Sequence, residues 1–188
     1  MLVPILPYAK ELVQGVLSEG DVAIDATLGN GHDALFLARC VGAAGRVYGF
    51  DVQQVAIDAT RERLQQAGVL ERVTLFLAGH ERMEGLVTPD VGNIRAVMFN
   101  LGYLPHSDKS IITRAETTLP ALEAAFRLLA PGGMITIVLY TGHPGGREEC
   151  ERILSWAKTL PPSQGKVLWY QFVNPRTPPP SLMAIQKR

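Results

Sequence analysis

Only two cysteines occur in 188 residues, Cys40 and Cys150, far apart and without a metal-ligand spacing. That excludes a disulfide framework and a paired-cysteine metal site, and no metal is expected. Both fall on segments of helical spacing and are read as small buried hydrophobes. Net charge is also absent: 18 Lys and Arg balance 18 Asp and Glu, so no overall basic field advertises non-specific nucleic-acid binding, although a local basic patch remains open. No apolar run approaches the roughly 20 residues of a membrane-spanning helix. The apolar start, Met1 to Pro7, is broken by Pro4 and Pro7 and followed by Lys10 and Glu11, so it is not read as a signal peptide. A reducing cytoplasm is the expected compartment, with no membrane partner. Repeats, low-complexity tracts and domain linkers are lacking too. One domain over residues 1–188 is therefore expected, and monomer and homodimer are both compatible with it.

What is present is an apolar content of 47%, arranged in alternating strand-like and helix-like segments. Helical spacing over 8–17 precedes a short apolar run at 22–26, a glycine loop and a helix over 33–41. The pattern continues with a strand at 46–50, a helix at 53–67 and a strand at 73–77. A short helix over 81–86 precedes a strand at 94–99, a helix over 114–129 closed by Pro131-Gly132-Gly133, and a strand at 134–140. A helix over 148–160 and strands at 166–172 and 182–185 complete the order, with a proline-rich link at 174–180. Strands that are apolar on both faces and alternate with helices predict an α/β, doubly wound, mostly parallel sheet of seven strands. Ligands of such sheets bind beyond the carboxyl ends of the strands, where strand order reverses.

The first such end carries Asp25-Ala26-Thr27-Leu28-Gly29-Asn30-Gly31, followed by His32 and Asp33. Gly29 to Ala34 fits the dinucleotide pattern G-x-G-x-x-G/A, and Asp51 lies about 20 residues on, where a carboxylate would bind ribose. Glycine spacing alone serves NAD and S-adenosylmethionine (SAM) equally. Charge separates them: Asp25 and Asp33 would repel a pyrophosphate, whereas SAM carries a sulfonium and an ammonium that Asp25 could meet directly or through water. Both carboxylates also suit helix capping and loop hydrogen bonding. On the SAM reading, Thr27, Gly29, Asn30, Gly31, His32 and Asp33 wrap the donor, Asp51 takes the ribose hydroxyls, Val52 and Gln53 lie beside the adenine, and Gly79 and His80 line its far side.

Asn100-Leu101-Gly102-Tyr103-Leu104-Pro105 follows the fourth strand. It resembles the Asn/Asp-Pro-Pro-Tyr loop of amino-methyltransferases, with Leu101-Gly102 in place of the two prolines. That resemblance implies that Asn100 orients an amine beside the methyl donor while Tyr103 stacks on a base. An amide is no base at neutral pH, so His32, Asp33, His106, Asp108 and His143 are the candidate proton acceptors on neighbouring loops. Leu101, Gly102, Tyr103, His106, Asp108, Lys109, Arg114, His143 and Arg147 form the expected substrate wall, whose cations suit a phosphate-bearing substrate.

Taken in order, the 25–33 segment, Asn100 to Pro105 with Asp108-Lys109, Tyr140-Thr141-Gly142-His143-Pro144-Gly145-Gly146 and the late Pro179-Pro180 resemble one family across nearly the whole chain. It is the YtqB-like rRNA-methylase group, which includes the MnmM tRNA wobble-uridine methyltransferases. The resemblance implies a class I SAM-methyltransferase fold with a reversed last strand, SAM as methyl donor, and tRNA as partner through its anticodon loop. The acceptor it implies is the amine of 5-aminomethyl-(2-thio)uridine at wobble position 34. His106-Ser107 departs from the small residues expected before Asp108-Lys109, and Ala34 from the usual threonine. Two alternatives accompany this reading: an rRNA or small-molecule methyltransferase, and an NAD(P)-dependent oxidoreductase or dinucleotide sensor.

Overall fold

The computed structural model describes residues 1–102, 112–175 and 179–188. Tyr103, His106, Asp108 and Lys109 lie outside the described residues. Six α-helices and seven strands are described: α1 (Ile5–Gln14), β1 (Val22–Asp25), α2 (His32–Val41), β2 (Arg46–Asp51), α3 (Gln54–Gln66), β3 (Val73–Leu77), α4 (Met83–Leu86), β4 (Ile94–Leu101), α5 (Ala115–Leu128), β5 (Leu129–Leu139), α6 (Gly146–Thr159), β6 (Gly165–Tyr170) and β7 (Ser181–Lys187). The strands form one sheet in the order β3-β2-β1-β4-β5-β7-β6. Pairings from β3 through to β5 are parallel, while β7 runs antiparallel to both β5 and β6. A single reversed strand wedged between β5 and β6 separates this topology from the all-parallel 3-2-1-4-5-6 order of dinucleotide enzymes.

Alternation along each strand decides which helices cover which face. Ala23, Val47, Ala96 and Met98 pack with Val13 of α1, Leu37 and Val41 of α2 and Leu64 of α3. Their neighbours Ile24, Phe50, Val97 and Phe99 point the other way, against Met83 of α4, Leu122 and Leu128 of α5 and Ile153 of α6. Both faces are thus dry, which explains the continuous apolar runs of β1 and β4. The carboxyl ends of β1, β2 and β4 open together at one rim.

Three boundaries differ from expectation in ways that matter to that rim. Helix α1 begins at Ile5, three residues early, because Pro7 stands in the first turn, where no N–H partner is required and a proline is no breaker. Strand β4 continues through Asn100 and Leu101, which pair with Val138 and Leu139. Asn100 is therefore held in the sheet and is not a loop residue. Pro131-Gly132-Gly133 does not separate helix from strand: β5 starts at Leu129, opposite Ile94, and regains register at Met134, opposite Ala96. The three residues make a bulge, with Gly132 at φ +79°.

Candidate active site

The loop after β1 is tied down by backbone geometry on every side. Leu28 N–H donates to the Phe50 carbonyl at 3.0 Å, and Gly31 N–H to Leu28 at 2.8 Å. From α3, the Thr60 hydroxyl donates to the Gly29 carbonyl at 3.2 Å and Arg63 Nε to the Asn30 carbonyl at 2.6 Å. Gly31, at φ +75°, is the residue before α2, and a Cβ there would sit 2.8 Å from Thr60 Oγ1. Its glycine is required by the left-handed turn and by the close approach of α3.

Asp51 closes the adjoining strand. One carboxylate oxygen accepts the Gly29 N–H at 3.0 Å and the other accepts the Gln53 N–H at 2.9 Å. An ionised carboxylate has about four acceptor positions, so this one bridges two loops and keeps capacity for a ligand's hydroxyls.

A cavity of about 900 Å³ lies over these strand ends. One end is lined by Asp51, Val52, Gln53, Gly79 and His80, and the middle by Thr27, Gly29, Asn30, His32 and Asp33. The far end is lined by Asn100, Leu101, Gly102, Arg114, Tyr140 and His143. Three expected contacts do not reach it. Gly31 is turned against Thr60, Arg147 is exposed on the first turn of α6, and Asp25 lies beneath the loop at 1% exposure.

Asp25 corrects the charge argument made from the sequence. Burial, then the charges of Asp33 and Asp51, push its carboxyl up to about 8, against the N–H groups of Thr27 and Ala34, which pull it down. Burial thus disfavours its charged form, and Asp33 and Asp51 are the carboxylates that line the cavity where a pyrophosphate would sit. One Asp25 oxygen accepts the Thr27 N–H at 3.1 Å, and the Ala34 N–H in the first turn of α2 also faces the carboxyl.

The carboxyl end of β4 is equally constrained. Asn100 N–H donates to the Thr27 hydroxyl at 2.7 Å, and its side-chain Nδ2 donates to Asp33 Oδ2. Lys10 Nζ lies 3.0 Å from Asp33 Oδ1. Asn100 Oδ1 is buried and has no partner among the described residues. That leaves an acceptor for a donor entering the cavity.

His80 is 8% exposed, within hydrogen-bonding distance of the Ala26 carbonyl through Nδ1 at 3.2 Å and edge-on to Phe99. Its burial pushes its pKa down. His32 is also pushed down, by desolvation and then by the cations of Arg63 and Lys10. Both imidazoles are neutral at pH 7, so neither offers a fixed cation to the cavity. Tyr140 is pushed up by burial and by the charge of Asp33.

Leu6 and Lys10 also line the cavity, and sequence reasoning missed both. They stand one turn apart on α1, beside the buried stripe Ile5, Ala9 and Val13. The available signal was a lysine adjoining an apolar stripe, which ordinarily marks a solvated edge. Thr113, which lines the far end, carried no signal at all.

A family model described as "Putative rRNA methylase" matches residues 47–186. The chain is 45% identical over 181 residues to "tRNA (mnm(5)s(2)U34)-methyltransferase, chloroplastic" of Arabidopsis thaliana. That alignment takes in 92% of this chain and 65% of the plant protein, so the chain spans just under two thirds of that relative's length. A "putative rRNA-methylase" from Clostridium thermocellum superposes with a TM-score of 0.96 at 42% identity, covering 100% of both chains. A "putative methyltransferase" from Streptococcus mutans, solved in complex with SAH, superposes at 0.91 with 37% identity and the same full coverage. A SAM-dependent O-methyltransferase from Thermotoga maritima, 18% identical at a TM-score of 0.68 over 99% of this chain and 67% of its own, shares the fold alone. The reversed β7 is thus that of the class I SAM-methyltransferase fold, and the chain belongs to the rRNA methylase family.

Proposed function

We propose that this protein is a SAM-dependent tRNA methyltransferase that acts on the amine of 5-aminomethyl-(2-thio)uridine at wobble position 34. One observation carries the reading. A single cavity joins Asp51, suited to a ribose, to Asn100 at the end of β4, whose side-chain oxygen lies just under the surface without a partner among the described residues and is suited to an amine N–H. The residues fit the donor: Asp51 retains acceptor capacity for a ribose diol, Asp33 offers charge to an ammonium, and the cavity presents Val52 and His80 for a flat base. SAM supplies a methyl group on a sulfonium, open to in-line displacement by a neutral amine.

The chain's own residues then align and deprotonate that amine. Asn100 Oδ1 accepts one N–H and turns the lone pair toward the methyl group. As the N–C bond forms and the S–C bond breaks, the nitrogen becomes cationic and must lose a proton. Asp33, expected from the sequence as a candidate base, has both oxygens engaged by Lys10 and Asn100. His32 lines the same cavity in its neutral form and is the proton acceptor we assign. On this reading Tyr103, His106, Asp108 and Lys109 share the anticodon-loop contacts with Leu101, Gly102, Arg114 and His143.

Among the described residues no helix is long and apolar enough to cross a membrane. Cys40 and Cys150 are both unbridged, Cys150 buried and Cys40 half-buried. A cytoplasmic site of action agrees with that thiol state.

The test is methylation by the purified protein of tRNA that carries the unmethylated amine, with nucleosides analysed by mass spectrometry. Conversion to the methylaminomethyl nucleoside at position 34 is expected. Label from SAM appearing only in rRNA would move the substrate to the ribosome. Calorimetric binding of NAD(H) without SAM binding would overturn the reading altogether.

A further inference from the structure

We propose that Lys10 is a positioning residue for the methyl-transfer step, acting through Asp33 to fix the rotamer of Asn100. The inference rests on the function proposed above and adds a residue that lies on α1, outside the strand-end loops.

An amide and a carboxylate can share a hydrogen bond in one sense only. An ionised carboxylate only accepts hydrogen bonds, so the Asn100 group facing Asp33 has to be the NH₂. That forces Oδ1 to the opposite side, where it is buried without a partner among the described residues. The backbone of Asn100 cannot adjust either, since its N–H is held by Thr27 and its strand is paired in register with Val138. Which way the amide points therefore depends on which way the Asp33 carboxylate is turned.

Asp33 is only 12% exposed at its side chain, and its second oxygen is held by Lys10 at 3.0 Å. A carboxylate gripped at one oxygen can rotate; one gripped at both cannot. Lys10 is itself restrained, with Nζ 5.3 Å from the centre of the Phe36 ring. Its helix is anchored by Ile5 and Ala9 against Val138 and Leu182, and by the Tyr170 hydroxyl, which donates to the Val3 carbonyl at 2.9 Å. Thus α1 reaches across the rim and sets the amide at the end of β4. A carboxylate that turned would let the amide flip, presenting NH₂ to the incoming amine, donor against donor.

The test compares wild type with Lys10→Met, which keeps an unbranched side chain up to the ε position and removes the charged terminus, and with Lys10→Arg. Four quantities are read: SAH affinity by calorimetry, kcat, tRNA KM, and the Asn100 side-chain amide resonances in the ¹⁵N-labelled SAH complex. In Lys10→Met, kcat falls by about tenfold or more, as a misaligned nucleophile requires, while tRNA KM holds and SAH affinity changes by less than kcat. The Asn100 amide pair shifts and exchanges faster with water, and Lys10→Arg restores both. An unchanged kcat overturns the proposal, as does an unmoved amide resonance. A loss of SAH affinity as large as the loss of kcat also overturns it, because Lys10 would then act on donor binding and not on the Asn100 amide. If wild type methylates no tRNA, the functional reading fails, whereas the amide resonances still decide whether Lys10 sets Asn100. Should Lys10→Met not fold, Lys10→Gln replaces it in the same measurements.

Discussion

Gly102 and Thr113 hold each other by two hydrogen bonds. Gly102 N–H donates to the Thr113 hydroxyl and Thr113 N–H to the Gly102 carbonyl, both at 2.9 Å. The Thr113 hydroxyl donates in turn to Glu149 of α6 at 2.9 Å, and Thr118 donates to the other oxygen of that carboxylate at 2.6 Å. Glu149 is 3% exposed, so a buried acid staples the two ends of the segment that carries the expected substrate residues. Replacing Thr113 by Val leaves one Glu149 oxygen and the Gly102 N–H without their partner. We expect a loss of about 1–3 kcal/mol in urea unfolding, together with a raised tRNA KM and unaltered SAH affinity. Equal losses of SAH and tRNA affinity would show that the staple supports the whole cavity instead of its acceptor end.

Asp25 makes stability depend on pH in a defined window. Its folded pKa is raised to about 8 from the ordinary 3.8, so the unfolded chain ionises it first. The stability that protonated Asp25 contributes is complete below pH 3.8 and is lost as pH rises toward about 8. Asn is the neutral isostere of the protonated acid and still accepts the Thr27 N–H. In urea titrations without SAM, Asp25→Asn should gain on wild type steadily from pH 5 to pH 8. A difference between the two that stays flat over that range would refute a buried, protonated carboxyl.

Gly31→Ala tests the turn that enters α2. Alanine would be forced to φ +75°, at about 1–2 kcal/mol, and its Cβ would meet Thr60 Cα at 2.9 Å, an overlap of about 1–3 kcal/mol. Both costs fall on the loop whose Gly29 N–H reaches Asp51. A lowered melting temperature with weaker SAH binding is expected, and a melting temperature equal to wild type would contradict the assigned backbone.

The sequence made the strand ends legible because a carboxylate or amide after an apolar run has few ordinary uses there. Asp51 and Asn100 both line the cavity for that reason. Asp25 showed the same signal, yet lies beneath the loop, because a residue's depth depends on how the loop folds over it and spacing along the chain does not report that. Lys10 was illegible for a different reason. Its partner Asp33 is 23 positions away, and only the packing of α1 on β5 and β7 brings them together. Glu149 carried no signal, since the hydroxyls that satisfy it come from beyond its own helix. Pro7 hid the true start of α1, and with it the turn that carries Leu6.

Asp51 and Asn100 should fail in opposite ways when removed. Asp51 is pinned by Gly29 and Gln53 at the donor end, so Asp51→Ala removes both a ligand acceptor and the tie between two loops. Hydrogen bonds to a charged group contribute about 1.5–3 kcal/mol each, and SAH affinity should fall by about tenfold to a hundredfold. Asn100 stands at the other end, where its free oxygen meets only the acceptor amine on our reading. Asn100→Ala should therefore leave SAH affinity close to wild type and lower kcat by about a hundredfold, the scale of a misplaced nucleophile. Calorimetry with SAH and single-turnover methylation separate the two. If Asn100→Ala weakens SAH as strongly as Asp51→Ala does, the amide belongs to the donor site, and the acceptor end has to be sought nearer Arg114 and His143.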